Sequence, residues 1–60
     1  MGLKERFLRV YANLPLGART EIILVLDNEP ITWNVAYLEV SSSTGKSGKI
    51  LKKLEELKIL

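Results

Sequence analysis

The amino-acid sequence predicts a mostly α-helical single domain, and three apolar stripes at helical spacing predict it. Leu3, Phe7, Val10, Tyr11 and Leu14 recur at i, i+4, i+7, i+8 and i+11. Trp33, Ala36, Tyr37 and Val40 recur at i, i+3, i+4 and i+7, and Ile50, Leu51, Leu54 and Leu57 follow a similar spacing near the end of the chain. Residues three and four apart share a helix face, so each set makes one apolar stripe. Sixty residues are enough for one domain. It divides into an N-terminal helix within 1–14 and a core over 16–60.

The first helix carries Lys4, Arg6 and Arg9 away from its stripe. Pro15 disfavours the α region for Leu14, so this helix is expected to end near Asn13. Ala18 to Leu26 is apolar nearly all round and reads as a second helix. Asp27-Asn28-Glu29-Pro30 has the composition of a turn. Thr32 is placed to cap a third helix, Trp33 to Val40. Ser41 to Thr44 forms a second turn, with Ser43 or Thr44 as cap for the last helix. Residues 20–40 also admit another reading. They are rich in β-branched and aromatic types and could form two strands around the turn, giving an α+β helix–β-hairpin–helix fold. The alternation in that reading is imperfect. Ile31, Trp33, Val35 and Tyr37 share one face, but Ala36, Leu38 and Val40 fall on the other. Helical spacing accounts for Trp33 to Val40 more economically.

Composition narrows the function. A chain that is 47% hydrophobic and 27% charged is globular rather than disordered. It contains no cysteine and no histidine. Disulfides and thiolate metal sites are therefore excluded, and catalytic groups are limited to carboxylates, lysines and hydroxyls. No carboxylate pairing stands out, so no enzyme activity and no cofactor are expected. The longest apolar run, Ile22 to Leu26, is far short of the ~20 residues that span a bilayer. The N-terminus has charges within its apolar pattern, unlike a signal peptide. A cytoplasmic protein with no membrane partner is the expectation. The lack of Cys, His and Gln beside abundant Lys, Glu, Ile and Leu leans towards a thermophile. So short a chain buries only ~60% of its unfolded surface. The stripe of Leu3, Phe7, Val10 and Tyr11 is therefore expected to complete a core or a homodimer interface.

Net charge is only +2, and its distribution says more than its sum. Between Glu21 and Ser43 there is no Lys or Arg, while Glu21, Asp27, Glu29 and Glu39 all fall there. On a helical wheel, Lys46, Lys49, Lys52 and Lys53 fill one arc, opposite Ile50, Leu51, Leu54 and Leu57. Two short helices joined by a tight turn, the second basic, describe a helix-turn-helix. TGKSGK does not make a phosphate loop, because the required earlier glycine is Val40.

From Ile31 to Leu60 the chain resembles the core of a winged helix-turn-helix domain of the MarR or ArsR repressor type, in the form of a small archaeal protein. Ile31-Thr32 opens the pattern, Ala36-Tyr37 fills its paired position, and Val40 precedes the turn. Ser43-Thr44 starts the recognition helix, and Leu51, Leu54 and Leu57 with Ile59-Leu60 close it. EIILVLDNEP then resembles the first helix of the motif. Ser41 stands where the turn usually has glycine, Lys58 stands where glycine usually closes the recognition helix, and the wing is truncated. The resemblance implies an N-terminal helix before a three-helix winged-helix-like core. It implies a recognition helix over 44–58 that binds double-stranded DNA through Ser43, Thr44, Lys46, Lys49, Lys52 and Lys53, as in a transcriptional regulator or chromatin-associated factor. The alternative is a protein-interaction module, an adaptor or antitoxin-like partner, in which the lysines only face solvent. Trp33 reads as a core anchor in either case.

Overall fold

The structure, a computed structural model, describes residues 2–60. Helix α1 (Leu3–Ala12) leads through a 3-10 turn (Leu16–Thr20) into strands β1 (Ile22–Leu26) and β2 (Glu29–Thr32), then helices α2 (Trp33–Ser41) and α3 (Ser47–Glu56). The two strands form one antiparallel hairpin, so the domain is α+β. The segment expected as a second helix, 18–26, is instead a 3-10 turn and a strand. The resemblance's first helix, EIILVLDNEP, is the hairpin itself. Helices α1, α2 and α3 lie where the apolar stripes put them. No helix among the described residues is long and apolar enough to cross a membrane.

The hairpin follows from its turn. Asp27 and Asn28 both take the left-handed region, with φ of 51° and 67°. That is the two-residue geometry whose twist matches paired strands, and Asp and Asn adopt it more readily than most residues. Glu29 and Pro30, expected in the turn, belong to β2. Leu26 lies opposite Glu29, Val25 opposite Pro30, Leu24 opposite Ile31 and Ile22 opposite Thr32. In a two-residue hairpin the pair flanking the turn is hydrogen-bonded, and the next is not. Pro30 falls at such a non-bonded position, so its missing N–H costs the ladder nothing.

The register shifts between Ile22 and Leu24. This bulge at Ile23 turns Ile22 to the same side as Val25, away from the buried Leu24. The ladder ends where Trp33 N–H donates to Glu21 C=O at 3.3 Å. Thr32 then caps α2 as expected, its hydroxyl accepting from Val35 N–H at 3.1 Å.

Each of the three helices and both strands contributes to one core. Phe7 comes from α1, Leu24 from β1, Ile31 from β2, Trp33, Ala36 and Val40 from α2, and Ile50 and Leu54 from α3. Most of the α1 stripe therefore packs into the chain's own core. Phe7 is fully buried, Val10 and Tyr11 pack against the core, and Leu3 is half-buried. Phe7 meets the Trp33 ring at 5.8 Å between centroids and the Tyr11 ring at 6.2 Å. Tyr11 stacks on Tyr37 at 4.4 Å. Its hydroxyl donates to Asn34 Oδ1 at 2.8 Å. The Arg19 guanidinium lies 4.3 Å from the Tyr11 ring centre and donates to the Tyr11 carbonyl at 3.2 Å. This cation–π contact fixes the 3-10 turn onto α1.

Both α2 and α3 end in the same device. Ser43 N–H donates to Val40 C=O and Thr44 N–H to Glu39 C=O; Lys58 N–H donates to Glu55 C=O and Ile59 N–H to Leu54 C=O. These are paired Schellman bonds, which require a left-handed residue usually supplied by glycine. Here the residues are Ser43 at φ 50° and Lys58 at φ 60°. The closing position at Lys58 is as anticipated, but the turn's glycine-like position is Ser43 rather than Ser41. Lys58→Gly and Ser43→Gly should therefore each raise stability, by up to ~1 kcal/mol, in urea unfolding. A loss of stability in both variants would show that neither conformation is strained.

Candidate functional site

The lysine arc on α3 lies against the hairpin tip. Lys46 Nζ donates to Glu29 Oε1 at 3.1 Å, and Lys49 Nζ lies 3.9 Å from Asp27 Oδ2. The hydrogen bond and charge of Glu29 hold the Lys46 ammonium above the ordinary lysine value, against an opposing desolvation. A raised lysine pKa means that the contribution is present at neutral pH. It is lost only as pH climbs past the ordinary value and through the raised one. Both pairs are exposed and individually weak. Their consequence is positional: two of the four arc lysines already have a carboxylate. Lys52 and Lys53 are exposed and take part in no ion pair among the described residues. The outward side of α3 also carries Glu55 and Glu56, and Glu55 lies 4.0 Å from the Arg6 guanidinium.

The expected hydroxyl contacts are used internally. Thr44 Oγ1 donates to Glu39 Oε1 at 2.6 Å, and Ser47 Oγ donates to Thr44 C=O at 2.7 Å. These bonds tie the α2–α3 turn together. Ser43 Oγ accepts from Lys4 Nζ at 3.2 Å. Helix α3 begins at Ser47, three residues later than the expected recognition helix, and its cap position is Lys46, whose side chain makes no capping bond to the helix. Neither Ser43 nor Thr44 caps it. Gly45 and Gly48 have open space where a side chain would stand, so nothing in the packing requires glycine there.

A second surface was not anticipated. On the outer side of the hairpin, Ile22 is 61% exposed and Val25 60% exposed, with exposed Pro30 opposite Val25. Thr32 lies opposite Ile22 and binds the Val35 N–H. Val35 and Leu38 stand three apart on α2, on the side away from Trp33, Ala36 and Val40; Leu38 is 64% exposed. None of these residues carries a charge, and Thr32 ties the end of the hairpin to the first turn of α2. Two signals pointed to this surface. IILVL is apolar in both phases of a strand, so both faces are apolar. Helix α2 is apolar nearly all round, a pattern usual in a covered helix rather than a surface one.

No protein family, curated protein or solved structure matches the chain.

Proposed function

We propose that the chain is a protein-interaction module that docks through the outer face of its hairpin and α2, acting by binding rather than by chemistry. Exposed Ile22, Val25, Val35 and Leu38 carry this reading. Large exposed apolar patches on soluble domains mark interaction sites. The Asp27–Lys49 and Glu29–Lys46 pairs bear on the choice too, because phosphates would have to compete with carboxylates already in place.

A photo-reactive side chain at position 25 or 38 should give a discrete covalent adduct with a protein in the source cell. The same group at position 52 should give none. Adducts confined to position 52, or absent throughout, would overturn the interaction reading.

Binding of duplex DNA is the second reading, supported by the exposed Lys52 and Lys53 beside the two-helix unit. It requires a dissociation constant on the order of 10⁻⁴ to 10⁻⁶ M for random sequence at physiological salt, and affinity that falls steeply as salt rises. A titration at low salt that moves no resonance of α3 would exclude it. Under the interaction reading, that is the expected result.

A further inference from the structure

We infer, on the DNA reading above, that the hairpin tip is an autoinhibitory contact: Asp27 and Glu29 stand where phosphates would meet Lys49 and Lys46, and so weaken duplex binding. Helix geometry puts Lys46, Lys49, Lys52 and Lys53 on one arc of α3, a cationic row suited to a phosphate backbone. The fold divides this row. Lys46 Nζ donates to Glu29 Oε1 at 3.1 Å, and Lys49 Nζ lies 3.9 Å from Asp27 Oδ2. Lys52 and Lys53 have no carboxylate partner among the described residues. A carboxylate and a phosphate make the same charge-assisted contact with an ammonium. Each pair therefore uses the donor that a phosphate would use.

Exposure makes this contact reversible. The side chains of Lys46 and Glu29 are 48% and 62% exposed, and those of Lys49 and Asp27 65% and 69%. A phosphate can reach both lysines without any part of the core opening. Neither acid belongs to the core cluster, so removing the carboxylates leaves the packing intact. The two acids also act beyond the donors they occupy. They set negative charge beside the path of a polyanion, and like charges facing each other across an interface disfavour binding. The size of the effect follows from the exposure. Exposed ion pairs are weak, so the tip lowers affinity and yields to a dense row of phosphates rather than abolishing contact. The turn does not need the charge at Asp27, because asparagine takes the same left-handed conformation.

The test titrates a random-sequence duplex into three chains. One is unaltered, one carries Asp27→Asn with Glu29→Gln, and one carries Glu5→Gln with Glu21→Gln. The last pair removes the same number of carboxylates from exposed positions that pair with no α3 lysine. At an ionic strength on the order of 0.1 M, distant charges are largely screened. There the tip variant should bind roughly 3- to 30-fold more tightly than the unaltered chain. Its salt dependence should steepen by about 2, one phosphate contact for each lysine released. Its melting temperature should stay close to that of the unaltered chain. The control pair should gain less than about twofold, with no change in salt slope. Equal gains in both variants would make the effect one of net charge and overturn the inference. A tip variant that melts much lower and binds no more tightly would make the pairs a structural tie and overturn it too. In both cases measurable binding by the unaltered chain would leave the DNA reading standing without its inhibitory tip. If none of the three chains bound, the DNA reading and the inference would fall together.

Discussion

Phe7→Ala should leave the domain unfolded or nearly so at room temperature. Phe7 is fully buried and stands at the meeting of α1 with Trp33 and the Tyr11–Tyr37 stack. Removing a buried phenylalanine ring costs ~3–5 kcal/mol, the sum of lost transfer energy and the cavity left behind. A domain of sixty residues holds roughly 3–9 kcal/mol in all, at ~0.05–0.15 kcal/mol per residue. The substitution therefore removes much or all of its stability. Urea unfolding followed by Trp33 fluorescence measures the loss directly, because the indole is itself part of the core. Deleting residues 1–13 should have a similar effect. A Phe7→Ala protein with the midpoint of the unaltered chain would mean that α1 does not lie on this core.

Lysine substitutions along the hairpin should divide sharply by face. Leu24→Lys and Ile31→Lys place an ammonium among Phe7, Trp33 and Ile50 in the core. With no carboxylate in that cluster, the charge must be neutralised or the fold abandoned, at a cost of several kcal/mol. Both variants should be unfolded by circular dichroism. Val25→Lys, one residue along the same strand, should fold with a melting temperature close to that of the isolated domain. Ile22→Lys tests the bulge itself. Strict alternation from buried Leu24 would put residue 22 inside; the observed register puts it outside, so its lysine should be tolerated. An unfolded Ile22→Lys beside a folded Val25→Lys would reject that register.

How the sequence relates to this fold differs from element to element. The helical stripes of α1, α2 and α3 were legible because burial on one side leaves a period that neighbouring residues reveal. The end of α1 was legible because Pro15 constrains the residue before it. The cap at Thr32 and the anchoring role of Trp33 were readable for similarly local reasons. By contrast, Ala18 to Leu26 reads as a helix but folds as part of a 3-10 turn and a strand. A short apolar run buried on one side and apolar on the other has no period to distinguish strand from helix. The sequence spreads the turn across four residues because Pro30 reads as a breaker. Only the pairing geometry shows that it occupies a strand position where no N–H is needed.

The candidate surfaces divide along the same line. The sequence by itself determined that Lys46, Lys49, Lys52 and Lys53 share an arc, because helix geometry alone fixes that. It could not determine that Asp27 and Glu29 would meet two of them, since these acids lie some twenty residues away along the chain and reach α3 only when the hairpin folds over it. It determined that the middle of the chain is apolar and free of cations. Which of those apolar residues turn inward was decided by tertiary structure: Leu24 and Ile31 close the core, the bulge at Ile23 sends Ile22 outward with Val25, and Thr32 joins that face to α2. Composition supplies apolar side chains in excess of what one small core can bury. Long-range pairing selects the ones left on the surface.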